Sequence, residues 1–202
     1  MNNSPALSDR ILDGALVCVA RVGVSKTTLD DVAREAGCAR ATVYRSFPGR
    51  LALFGALLDR EVAALAARAL DTAAQADTLS DAVTAVILEG VETFHTHPAL
   101  GFILAHEPEI VAAELSFERG SAMLVLAADL IAPAFTRFLP ADRAARLGEW
   151  ITRLTLSYLC DPSDFVRFDD PAEVRDFVDA FVLPGITRSS TFATTSIEGA
   201  SQ

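Results

Sequence analysis

Apolar residues recur at spacings of three and four along nearly the whole of this 202-residue chain, the pattern of helices that each bury one face. No segment combines sustained two-residue alternation with a hairpin signal, so strands are not expected. The expected fold class is all-α. Ser8 is placed to cap a first helix whose inner face is Ile11, Leu12, Ala15, Leu16 and Val19, with Gly23 as its stop. Short helices are expected over about 29–36 and 40–47, broken from the next by Pro48-Gly49. A long helix from Arg50 to the mid-seventies follows, with Leu53, Phe54, Leu57, Leu58, Val62 and Leu65 along one side. Further helices are expected over 78–94, over 117–138 with a kink at Pro133, and over 141–160 and 172–183, with Pro98 and Pro108 as punctuation.

The division expected is a helix-turn-helix domain over 1–50, a second helical domain over 51–186, and a disordered tail over 187–202, rich in Ser, Thr and Ala. A hydrophobic fraction of 51% against 22% charged excludes a disordered or collagen-like chain. Cys18, Cys38 and Cys160 are far apart and odd in number, and no zinc-ligand spacing occurs, so they read as small core residues in a reducing compartment. The opening MNNSPALSDR has no apolar signal core. The most apolar stretch, Met123 to Phe135, is interrupted by Asp129 and Pro133 and is too short for a membrane span. A cytoplasmic protein without a membrane partner is expected.

The net charge of −10 argues against a nucleic-acid partner until its distribution is considered. Residues 1–60 carry eight Lys/Arg against six Asp/Glu, whereas the remainder carries nine against twenty-one. Arg40, Arg45 and Arg50 stand in a stretch, 37–58, that has no acidic residue. Thr28 with Asp31 three residues on forms a capping box. Leu29, Val32, Ala33 and Ala36 supply an inner face, and Gly37 marks a sharp turn. Cys38 reads as a buried plug, and the next helix buries Val43 and Phe47 while presenting Arg40, Ala41, Thr42, Tyr44, Arg45 and Ser46. This is a helix-turn-helix whose second helix is polar, basic and short enough for a major groove. Arginine can meet guanine O6 and N7 with paired donors, and the Ala41 methyl can touch a thymine methyl. The hydroxyls of Thr28, Thr42, Tyr44 and Ser46 can fix the register on phosphates. Arg50 can add charge to the helix N-terminus beside it.

Thr28, Val32-Ala33, Ala36-Gly37, Thr42-Val43-Tyr44, Phe47 and Arg50 stand at the spacing of a known motif, over about residues 8–60. The stretch resembles the N-terminal domain of the TetR/AcrR family of bacterial transcriptional regulators. The resemblance implies an all-α chain with an N-terminal three-helix DNA-binding domain and a helical ligand-binding and dimerisation domain. It further implies a repressor released from double-stranded operator DNA by a small effector. Tyr44, Thr28 and Thr42 would be phosphate contacts, Arg50 stands where the family usually has lysine, and Arg40, Ala41 and Arg45 would face bases. Asp30 departs from the pattern, occupying a position that is often basic, and Cys38 replaces a small aliphatic.

In the second domain, Leu147, Trp150, Ile151, Leu154 and Tyr158 share one helical stripe, and Val174, Phe177, Val178, Phe181 and Val182 share another. Across a two-fold axis these could make a four-helix bundle with a second copy, or each could face the chain's own core. The Phe-rich segment from Phe94 to Phe138 suggests a lipophilic pocket with Phe94, Phe102, Ile103, Phe117, Met123 and Leu126 as its candidate lining, with core packing as the alternative. The mean hydropathy of +0.32 calls for much hidden apolar surface in either case. His95, His97 and His106, followed by Glu107 and Glu109, lack the usual metalloprotease spacing. There is no phosphate loop, nucleophile elbow or obvious triad. No enzyme, metal or cofactor is therefore expected. The alternatives are a helical small-molecule carrier that ignores DNA, and a metal-dependent enzyme built on the three histidines.

Overall fold

The computed structural model describes residues 5–107, 109, 120–161 and 163–187. Among these residues there are helices and no strand. Helix α1 spans Pro5–Lys26, α2 Leu29–Glu35, α3 Arg40–Ser46, α4 Arg50–Ala74, α5 Leu79–Thr96 and α6 Pro98–His106. Helix α7 spans Gly120–Ile131 and runs into a 3-10 turn at Ala132–Phe135; α8 spans Ala141–Cys160 and α9 Pro171–Phe177. A π turn at Val178–Val182 leads to α10 at Leu183–Thr187.

Local signals account for most of these boundaries. Thr28 caps α2, Thr78 caps α5 by accepting from the Asp81 amide, and Asp170 caps α9 ahead of Pro171. Helix α1 differs from expectation at its start: Ser8 lies inside the helix, not at its cap. Gly23 does break α1, with φ 83° and ψ 170°, leaving a final turn over Val24 to Lys26. Pro133 ends α7 instead of kinking it, because the ring cannot donate the next helical hydrogen bond. Helix α6 was not expected. Pro98 is its first residue, where a missing N–H costs nothing, and the His97 ring caps it by accepting from the Leu100 amide at 3.3 Å.

Two buried clusters organise the chain. The first joins Ile11, Ala15, Cys18 and Val19 of α1 to Val32, Ala33 and Val43 and to Leu53 and Leu57 of α4, with Ala99 of α6 sealing one side. The second gathers Ala66, Ala69 and Ala73 of α4 with Val83, Val86 and Ile87 of α5, Phe135, Leu147 and Ile151, and Val174, Val178 and Val182. Helix α4 thus contributes its first half to one core and its second half to the other.

The stripes on α8 and α9 divide between two roles. Leu147, Ile151, Val174 and Val178 are at most 1% exposed within one chain, which corrects their assignment to a partner-facing surface. Their side chains fill the angle where α8, α5 and α9 meet, and no second copy could reach them. Trp150, Leu154, Tyr158 and Phe177 are half-buried at the edge of that core, and Phe181 is exposed. Phe168, Tyr158, Phe177 and Phe181 form a run of ring contacts with centroids 4.1–5.7 Å apart, leading from the core to the surface.

Candidate nucleic-acid interface

The three helices α1, α2 and α3 build a rigid frame before any functional side chain is considered. The Thr28 hydroxyl accepts from the Asp31 amide at 3.2 Å and the Asp31 carboxylate accepts from the Thr28 amide at 3.2 Å, closing the expected capping box. The Thr28 hydroxyl, which also donates to the Asp31 carboxylate at 2.5 Å, and then the Thr28 amide hold the Asp31 carboxyl below its ordinary value. Gly37 takes φ 61° in the turn, a left-handed conformation that suits glycine. At the other end, Arg10 donates to the Ala36 carbonyl at 3.2 Å, and Arg21 pairs with Glu35 at 2.8 Å. Val43 is fully buried and Phe47 and Cys38 are half-buried against the same core, which fixes the rotation of α3.

That rotation leaves Arg40, Ala41, Tyr44 and Arg45 exposed along one side of α3, with Thr42 and Ser46 half-buried at its edge. Arg40 Nη1 donates to Asp30 at 2.9 Å, and the second Asp30 oxygen lies 2.9 Å from Arg40 Nε. Its guanidinium also sits 5.3 Å from the centre of the Tyr44 ring and reaches the Tyr44 hydroxyl at 3.4 Å. Arg45 reaches the Thr42 hydroxyl at 3.4 Å. Arg50 is engaged elsewhere: its guanidinium donates to the carbonyls of Val24, at 2.8 Å, and Thr27, and lies 5.2 Å from the Phe54 ring. It ties the start of α4 to the end of α1, so its positive charge sits beside the helix N-terminus while its donors hold backbone.

A second tie crosses from α6. Glu107, only 7% exposed, accepts from the Val24 amide at 2.6 Å and the Ser25 amide at 2.9 Å. Burial alone would raise its pKa; the hydrogen bonds from Ser25 and Val24 and the charge of Lys26 outweigh it and hold the carboxylate below its ordinary value. Arg60 of α4 adds a third tie, to Asp13 at 2.7 Å. Sequence reasoning set Glu107 among possible metal ligands, since nothing local signals a partner 83 residues away.

The other sequence candidates separate. Ile103 packs on the first core with Ala99, and Phe102 stacks on His106 with centroids 4.3 Å apart. Phe94 and Leu126 are half-buried, while Phe117 and the side chain of Met123 lie outside the described residues. His97 caps α6 and lies 3.3 Å from Glu61, His106 contacts the Phe102 carbonyl at 3.1 Å, and His95 is exposed. Among the described residues no group of three or more His, Cys, Asp or Glu could hold a metal ion, and no helix is long and apolar enough to cross a membrane.

A buried frame that presents one short basic helix is that of a helix-turn-helix DNA-binding transcriptional regulator, and comparison with known proteins agrees. Residues 11–57 match the model of the bacterial regulatory proteins of the tetR family. An uncharacterized HTH-type transcriptional regulator of Mycobacterium tuberculosis, Rv1255c, is 27% identical over 189 residues, covering 92% of this chain and 88% of the relative. The HTH-type regulator SrpR of Pseudomonas putida is 47% identical over 49 residues, 24% of this chain and 23% of SrpR. Among solved structures, the TetR family repressor AlkX from Dietzia superposes with a TM-score of 0.70 at 20% identity, over 93% of this chain and all of AlkX. FadR of Bacillus subtilis, solved with stearoyl-CoA, superposes with a TM-score of 0.59 at 14% identity, over 85% of this chain and 97% of FadR. Residues 11–57 thus carry the tetR-family helix-turn-helix, and the chain as a whole is similar in sequence to an HTH-type transcriptional regulator and shares the fold of TetR-family structures.

Proposed function

We propose that this regulator is a cytoplasmic homodimeric repressor, without catalytic activity, that a small lipophilic effector releases from its operator. Residues 1–50 act as the DNA-binding domain and 51–186 as the effector-binding and dimerisation domain. The observation that carries this reading is the exposed side of α3, with Arg40, Ala41, Tyr44 and Arg45 set on a buried frame. Thr28, Thr42 and Tyr44 serve as phosphate contacts and Arg40, Ala41 and Arg45 face bases, while Arg50 and Ser46 support the register.

A dimer is favoured because one such helix grips DNA weakly and two read successive half-sites. Of the stripes on α8 and α9, Trp150, Leu154, Tyr158, Phe177 and Phe181 are not fully buried and are assigned to that contact. A lipophilic effector fits the Phe-rich body, where Phe94, Phe102 and Leu126 are half-buried. It also fits the relatives: AlkX is described as implicated in biodegradation of n-alkanes, and FadR was solved with stearoyl-CoA. The effector acts by population shift, favouring a spacing of the two heads that no longer matches successive major grooves. Helix α4, shared between both cores, transmits that change.

Fluorescence anisotropy on duplex DNA from upstream of the gene, across a salt series, tests the reading. Saturable binding is expected for the wild type, strongly weakened in Tyr44→Ala and Arg40→Ala, with release by medium- or long-chain apolar compounds. Absence of binding, both there and in a random-sequence selection, would overturn it.

A further inference from the structure

Asp30 is an acidic residue paired with the exposed face of α3, and it stands where charge alone would disfavour a polyanion. Its carboxylate contacts the Arg40 guanidinium through both oxygens, each 2.9 Å from an arginine nitrogen. The Tyr44 ring and hydroxyl border the same guanidinium at 5.3 and 3.4 Å. Neither Asp30 nor Arg40 is buried, so the pair adds little to fold stability. Capping of α2 is already performed by Thr28 and Asp31, so the cap does not require Asp30.

A free arginine side chain samples many rotamers and can settle on any nearby phosphate. An arginine held by a carboxylate on one edge and an aromatic ring below keeps a defined fork direction and still has donors to spare. Such a fork suits the paired O6 and N7 acceptors of guanine, whereas a carboxylate beside it repels phosphate and cannot accept from guanine at those atoms. We propose that Asp30 is a positioning residue that sets the base specificity of Arg40, restricting it to guanine in the major groove. This rests on the reading of α3 as the groove-facing helix. The charge of Asp30 lowers affinity for DNA in general and raises the preference for one base.

The two effects have opposite signs, and that makes the proposal testable. Full-length wild type, Asp30→Ala, Asp30→Asn and Arg40→Ala are each put through selection on random-sequence duplexes. Affinity for a non-specific duplex is measured in parallel, and folding is checked by helical circular dichroism. Arg40→Ala is expected to remove the guanine preference at one position per half-site. Asp30→Ala is expected to weaken the preference at that same position by about five- to tenfold while leaving non-specific affinity equal or higher. Asp30→Asn, which keeps an accepting oxygen, should retain part of the preference. If Asp30→Ala and Asp30→Asn leave the preference intact while Arg40→Ala removes it, Arg40 reads the base unaided and the proposal fails. If Arg40→Ala changes no position, the groove-facing reading of Arg40 itself is wrong.

Discussion

The carboxylate of Glu107 fills the space that a Cβ on Gly23 would need: the ideal Cβ position lies 2.6 Å from the Glu107 carboxyl carbon. Gly23 takes φ 83°, which breaks α1 and turns the amides of Val24 and Ser25 toward that carboxylate. A residue at the end of α6 thereby holds the end of α1, and the joint between these two helices of the first core depends on a glycine and a buried charge.

Gly23→Ala should be costly for two reasons at once, the left-handed backbone and the overlap with Glu107. A loss of about 2 kcal/mol or more in unfolding free energy is expected, read by chemical denaturation. Glu107→Ala in the same chain relieves the overlap but not the backbone strain, and loses the two amide bonds on its own account, so the double variant should be less destabilised than the sum of the two single changes. Strict additivity would mean that the two residues do not share this space.

Glu107→Gln should cost about 1.5–3 kcal/mol at neutral pH, since charge-assisted bonds to two amides are weakened in a buried site. The carboxyl of Glu107 is held below its ordinary value of 4.5 in the folded chain. Its contribution is therefore complete above that value and is lost as pH falls through the lower folded value. The gap in melting temperature between wild type and Glu107→Gln should be constant near neutrality and shrink in acid. A gap that instead widens in acid would contradict the arrangement.

Leu147→Ala and Phe181→Glu separate the two roles of the C-terminal stripes. Leu147 is fully buried within one chain, so its truncation should cost about 2–5 kcal/mol of stability. Phe181 is 66% exposed, and Phe181→Glu should leave intrachain packing nearly intact while shifting sedimentation toward monomer. A Phe181→Glu protein that remains dimeric at low micromolar concentration would remove Phe181 from the contact.

Tyr44→Phe keeps the ring beneath Arg40 and removes only the hydroxyl. If that hydroxyl binds phosphate, affinity should fall on all duplexes alike, with base preference and salt slope unchanged. A change confined to one base position would reassign it to base reading.

Much of this molecule was legible without coordinates because its signals are short-range. The capping box at Thr28 and Asp31, the turn at Gly37, and the extents of α4 and α8 each depend on residues within a turn or two. The basic side of α3 could be read for the same reason: burying Val43 dictates which residues face out. Helix α6 is not legible in the sequence because Pro98 reads as punctuation, although a proline opens a helix as readily as it ends one.

Sequence alone determined most of the helices, the turn between α2 and α3, and the set of side chains available to DNA, since each follows from local backbone geometry and periodicity. Tertiary structure decided which apolar stripe each core consumes, that Arg50 grips the carbonyls of Val24 and Thr27, that Asp30 holds Arg40, and that Glu107 locks against Gly23. Those pairings bring together residues from separate helices. An amphipathic stripe or an isolated charge states what it needs, an apolar neighbour or a counter-group, but only the packing of the whole chain selects which one it meets.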